Sequence, residues 1–144
     1  MAKSYWIFKS EPETYSFAQL VKDRKVNWNG VRNFQARNFL KAAKVGDLAF
    51  IYHSGDDKAV VGIAEVVREA YPDPDPDSDG WVQIDLKAVQ PLANPVELKV
   101  LKADAKLKNI LLVRQSRLSC SPLTAEEFKQ IEKLGSKPAG KKKS

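Results

Sequence analysis

Several short stretches of the sequence carry side chains that can stack, hydrogen-bond or hold an anion where no pattern of core packing demands them. Trp28 lies between Asn27 and Asn29, just ahead of Gly30, in a segment that reads as a turn or loop. A tryptophan there either plugs the core from a loop or offers its flat face to a flat ligand such as a nucleobase. Arg32, Asn33 and Gln35 precede or open a helix, where backbone amides and a cation attract a phosphate or a base edge. The plainer reading makes Asn33 the helix N-cap and leaves the others solvated. Lys9, Ser10 and Glu11 follow the first strand: Lys9 suits a phosphate, Ser10 a base edge, and Glu11 either an exocyclic amine or a salt bridge. Tyr52-His53-Ser54 ends a strand at a turn, a common place for ligand-facing groups. No acid–base partner for His53 can be named, so it reads as structural rather than catalytic. Arg117 and Ser119 flank Leu118 and share a face if that segment is a strand, with Cys120 turned to the core.

Other chemistries find little material. One cysteine and one histidine cannot build a His/Cys zinc site, and no disulfide can close within the chain. The Gly-x-Ser-x-Gly nucleophile elbow and both glycine-rich phosphate loops are missing from the sequence. No cofactor is expected. Of the 24 lysines and arginines, four (Lys137, Lys141, Lys142, Lys143) fall in residues 136–144, which hold no acid. The first 135 residues therefore carry 20 bases against 18 acids, which favours a localised binding site over an extended phosphate-tracking surface. The longest apolar runs, such as Leu48–Tyr52, fall far short of the ~20 residues of a spanning helix, and the first eight residues lack the pattern of a signal peptide. A cytoplasmic monomer with no membrane partner is the expectation.

The elements that must position these groups follow from pattern. Tyr5–Phe8 reads as a buried strand, and Ser16 with Gln19 as a capping box opening a helix to about Arg24. A second helix runs from Asn33 toward Gly46, then Leu48–His53 and Ala59–Arg68 form a hairpin about a Ser54–Asp57 turn. Tyr71–Gly80, with three prolines among four aspartates, reads as a long exposed loop that either faces away from phosphates or shapes only a pocket rim. Val82–Lys87 alternates as a strand with one wet face, Pro91–Val96 reads as irregular, and Glu97–Lys108 as helical in one or two pieces. Ile110–Val113 is a short apolar run and Arg117–Leu123 holds a last strand. Thr124 with Glu127 then caps a helix from Ala125 to Leu134, closed by Gly135. That order predicts one α+β domain over residues 1–135, built on a curved antiparallel sheet or open barrel with flanking helices, and a basic disordered tail at 136–144.

Taken together, Trp6–Pro12, Trp28–Asn38, Val45–Leu48, Tyr52–Ser54, Val67–Pro74 and Ser116–Ser119 resemble the EVE domain family, in order and over about Ser4 to Leu134. The resemblance implies a PUA-like fold, related to ASCH and YTH domains, with a pocket at one end of a bent sheet. It also implies reading of a modified base in DNA or RNA, with 5-methylcytosine derivatives the associated ligand class. On that footing the sequence predicts a non-catalytic module that stacks a flipped base on Trp28. Asn33, Ser10, Glu11, Tyr52, His53, Ser54, Arg117 and Ser119 complete the base pocket, and Lys9, Arg32 and Gln35 hold phosphates. Two alternatives stay open: an enzyme acting on a modified base or nucleoside, with Glu11 or His53 as acid/base, and a small-molecule or nucleotide sensor using the same pocket.

Overall fold

The aromatic and β-branched run near the start forms strand β1 (Tyr5–Ser10), and its pleat sends Trp6 and Phe8 into one hydrophobic cluster and Ile7 into another. The computed structural model describes residues 4–11, 13, 15–28, 34–55, 57–72, 80–115, 118 and 120–136. Helix α1 (Phe17–Asp23) opens where predicted, the Ser16 hydroxyl accepting from the Gln19 N–H at 3.0 Å. Lys25–Trp28 then forms β2, where the sequence suggests a turn or loop from Asn27. Val26 and Trp28 turn inward, too short an alternation to stand out from a loop by pattern alone. Helix α2 (Phe34–Ala42) stops earlier than expected, and Gly46, at φ +96°, makes the turn into β3 (Leu48–His53).

The hairpin arm β4 (Ala59–Pro72) outruns its expected end at Arg68, so Tyr71 belongs to a strand and not to the loop. Strand β5 (Val82–Glu97) is also longer than predicted and includes the stretch Pro91–Val96. The prolines fit because β2 covers only Ile84–Lys87 of β5; beyond Ala88 the strand is an edge that needs no donor on its outer side. Bulges break the β4–β5 register at several points, including beside Gly62, which faces Pro91. The expected Glu97–Lys108 helix is the short α3 (Leu98–Ala103), and Leu111–Arg114 forms a separate turn, α4. Strand β6 (Cys120–Leu123) lies antiparallel to β1, and α5 (Ala125–Gly135) carries both halves of the predicted capping box.

The six strands form one open sheet in the order β2-β5-β4-β3-β1-β6. All pairs are antiparallel except β1 with β3, joined by a crossover through α1, β2 and α2, so the sheet is mixed rather than purely antiparallel. Four strand steps separate β2 from β1, about 19 Å if the sheet were flat. The rings of Trp28 on β2 and Phe8 on β1 nevertheless lie 5.5 Å apart, so the sheet curls on itself. The cluster holding Trp6, Phe8, Ile51, Ile84 and Leu86 fills the inside of the curl, with α1 and α2 contributing Phe17, Leu20 and Leu40. The second cluster, Ile7, Phe50, Tyr52, Leu101, Phe128 and their neighbours, lies on the outer face beneath α3, α4 and α5. This is the α+β arrangement of a curved, open sheet with flanking helices that the order of elements predicts. Of the expected tail, Ser136 caps α5 by donating its hydroxyl to the Lys133 carbonyl, and residues 137–144 lie outside the described residues. Among the described residues no helix is long and apolar enough to cross a membrane.

Candidate functional site

Trp28 ends β2 half-buried, its ring tilted 40° against that of Phe8, at the rim of the inner cluster. One side of the indole is thus anchored in the core while part of it remains accessible. Ser10 lies on the same face of β1 as Phe8, two residues or about 7 Å further along. Its hydroxyl donates to the Tyr15 carbonyl, which ties the strand end to the start of α1. Tyr15 packs against the inner cluster and donates its hydroxyl to Asp23. Burial and then the Asp23 carboxylate push that phenol up to about 12.

His53, paired with Ser10 across β1 and β3, is buried and committed on both ring nitrogens. Nε2 accepts the Phe17 N–H at 2.9 Å, and Nδ1 lies 3.0 Å from the Asp57 carboxylate. An accepting Nε2 places the proton on Nδ1, donated to Asp57, so the ring caps α1 and holds the turn after β3. Glu11 is exposed, and its carbonyl accepts from the Tyr15 N–H. Gln35 is exposed on the first turn of α2. Arg32, Asn33, Arg117 and Ser119 lie outside the described residues.

The pleat separates the other predicted site residues from these. Lys9 and Tyr52 face each other across β1 and β3, one residue short of Ser10 and His53, and so point to the outer face. There they line a cavity of about 210 Å³ together with Ser54, Gly55, Lys58, Lys102 and the apolar side chains of Leu98, Leu112 and Val113. Partial burial lowers the Lys9 pKa and raises that of Tyr52. The Ser54 N–H donates to the Ser10 carbonyl at 3.0 Å, so the ends of both strands are joined at the border between the two faces. Among the described residues, Ser10 and His53 thus lie on one face of the sheet end and Lys9, Tyr52 and Ser54 line the cavity on the other.

Several polar groups have roles that the sequence does not announce. Asp47 is buried and accepts from the Trp6 indole and the backbone N–H groups of Ser4 and Lys44 at 2.8 to 3.0 Å. Tyr71 donates to the buried Asp85 carboxylate and accepts from the Asn27 amide, with the Arg68 guanidinium 3.6 Å from its ring centre. Desolvation, then Asp85, raises the Tyr71 pKa against the opposing pull of Arg68. Arg37 of α2 donates to the Gly80 carbonyl and sits 5.2 Å from the Trp81 ring centre, anchoring the start of β5. The one local signal for any of these is in Val45-Gly46-Asp47, an acid beside a turn glycine. Cys120 is buried, and desolvation raises its thiol pKa well above the ordinary value, as suits an inert core residue. Among the described residues no cluster of His, Cys, Asp or Glu is grouped to hold a metal ion.

The chain matches the EVE domain family over residues 4–134. The chain belongs to that family. Human thymocyte nuclear protein 1 is 36% identical over an alignment 168 positions long, gaps included, that spans 93% of this chain and 75% of the human protein. The crystal structure of human THYN1 in complex with DNA containing 5-methylcytosine is 35% identical, with a TM-score of 0.85 over 94% of this chain and 99% of that one. Protein Atu2648 from Agrobacterium tumefaciens, 40% identical, has a TM-score of 0.89 with 98% of each chain covered. The YTH domain of Zygosaccharomyces rouxii MRB1 shares the fold alone, at 18% identity and a TM-score of 0.59 over 99% of this chain and 90% of that one. EVE membership thus agrees with the resemblance read from the motifs, and the YTH likeness with the fold it implied.

Proposed function

We propose that this EVE domain is a non-catalytic module that binds nucleic acid by taking one modified base, of the 5-methylcytosine type, out of its strand and stacking it at the mouth of the curled sheet. The observation that carries the reading is Trp28: a large aromatic at the end of an edge strand, braced on Phe8 yet partly open to solvent. Bracing sets the ring plane before a ligand arrives, which lowers the entropy cost of stacking. Ser10 contributes a hydroxyl oxygen on the same face; the resemblance implies Asn33, Arg117 and Ser119 as further base contacts and Arg32 as a phosphate contact, all four outside the described residues. The relative solved with 5-methylcytosine DNA supports the ligand class. The placement of the two candidate acid–base residues favours binding over catalysis. His53 spends both nitrogens on Phe17 and Asp57, and Glu11 is exposed to solvent.

Trp28→Ala tests the proposal. Base stacking on an aromatic is worth roughly 1 to 3 kcal/mol, so affinity for an oligonucleotide bearing 5-methylcytosine should fall by about one to two powers of ten. The variant should still melt cooperatively, since the indole is only half-buried. Full binding by a folded Trp28→Ala protein, or conversion of 5-methylcytidine to another nucleoside by the wild type, would overturn the reading.

A further inference from the structure

The outer-face cavity beside Tyr52 has a composition that folding alone does not explain. Its floor is apolar, formed by Leu98, Leu112 and Val113, while lysines from three separate elements converge on it: Lys9 from β1, Lys58 from the turn before β4 and Lys102 from α3. Among the described residues, no ion pair or hydrogen bond engages the Lys58 or Lys102 ammonium. The carboxylates nearby are committed, Asp57 to His53 and Glu97 to Lys99. Holding the Lys58 and Lys102 ammonium groups together at one concavity costs electrostatic energy that an anion would recover.

Lys58 adds an independent observation. It has φ +42°, in the left-handed region where a residue with a Cβ is disfavoured and glycine or asparagine is usual. The backbone is held there from both sides. The Lys58 carbonyl accepts the Leu98 N–H at 2.7 Å, and the neighbouring Asp57 is fixed by His53. A lysine kept where glycine would be more stable points to a use for its side chain.

We propose that this cavity is a phosphodiester subsite, in which Lys58 and Lys102, with Lys9, hold a backbone phosphate of the strand whose modified base enters on the Trp28 face. It rests on the binding function proposed above and extends it to the opposite face of the sheet. The route between the two is the shared end of β1 and β3, where the Ser54 N–H bonds the Ser10 carbonyl and each strand has one residue facing each way. The apolar floor suits the deoxyribose that accompanies the phosphate. The subsite carries affinity and strand orientation, and the base pocket carries discrimination.

The test uses Lys58→Gly combined with Lys102→Gln. Glycine suits the left-handed backbone and glutamine the exposed helix, so the double variant should melt no lower than the wild type. Binding is measured at two salt concentrations for a single-stranded oligonucleotide bearing 5-methylcytosine, its unmodified counterpart, and free 5-methyl-2′-deoxycytidine. Both oligonucleotides should bind about fivefold or more weakly at low salt, with the salt slope reduced by about 0.7 once that one phosphate charge is no longer neutralised, while the free nucleoside binds as before. Unchanged oligonucleotide affinity and slope would overturn the subsite. Weakened nucleoside binding would overturn its assignment to phosphate. If wild-type protein binds modified and unmodified strands equally and ignores the nucleoside, the base-reading function fails, while the change in slope still decides the lysine subsite.

Discussion

Asp47 shows how a single carboxylate can hold a sheet end together. It gathers the Trp6 indole, the Ser4 N–H at the head of β1 and the Lys44 N–H before β3, the first in a buried hydrogen bond and the other two in part-buried ones. Asp47→Ala would leave these donors unsatisfied and should cost about 3 kcal/mol in denaturant unfolding, with Asp47→Asn losing less because its amide oxygen still accepts. A loss under about 0.5 kcal/mol would show that water replaces the carboxylate. Tyr15 carries a pH signature instead. An unfolded tyrosine ionises near 10, whereas the folded Tyr15 keeps its proton to about 12, so the unfolded chain releases a proton first as pH rises. This contribution to stability is complete below about pH 10 and is lost as pH climbs through about 12. Unfolding midpoints at about pH 9, 10.5 and 11.5 should therefore fall less steeply for Tyr15→Phe than for wild type, and equal slopes would show that burial and Asp23 together do not hold the proton on the folded phenol.

At the scale of elements, α1 is seated by what β4 lacks. A Cβ on Gly62 would come within 2.4 to 2.5 Å of the Phe17 ring, which packs on the strand at the first turn of α1. The same residue's N–H is the one that His53 accepts, so side chain and backbone of Phe17 fix both the height and the end of the helix. Gly62→Ala should cost about 1 to 3 kcal/mol by overpacking, and Gly62→Ala with Phe17→Leu should recover part of it. Absence of recovery in the double variant's unfolding midpoint would mean that the strand backbone, not the helix, absorbs the clash. The long β5 belongs to this scale too. Its bulges and its half-paired outer edge let prolines stand in a strand, which residue-by-residue propensity argues against.

Across the whole molecule, charge and recognition are distributed differently along the chain. Deleting residues 137–144 removes four of the six net positive charges and no aromatic. The truncated protein should bind nucleic acid more weakly at low salt, the slope falling by about 0.7 for every single-strand phosphate that the tail lysines neutralise. Lysines attract phosphate without selecting a base, so the ratio of affinities for modified and unmodified oligonucleotides should stay constant. A ratio that collapses to one in the folded truncated protein would move discrimination out of the curled sheet and into the tail.

Local chemistry is enough to read much of this from the residues. The Ser16 and Thr124 caps, the apolar run of Leu48–His53 and the motifs that mark an EVE domain all depend on neighbours within a few positions, which a sequence displays directly. The strand at Lys25–Trp28, the full length of β5 and the parallel pairing of β1 with β3 depend on partners far along the chain, and propensity holds no trace of them. The same divide runs through the site. Adjacent positions such as Lys9 and Ser10, or Tyr52 and His53, look like single clusters in the sequence. The two-residue period of a strand sends them to opposite faces, and only the folded sheet decides that one face holds Trp28 and the other gathers Lys9, Lys58 and Lys102 around a cavity.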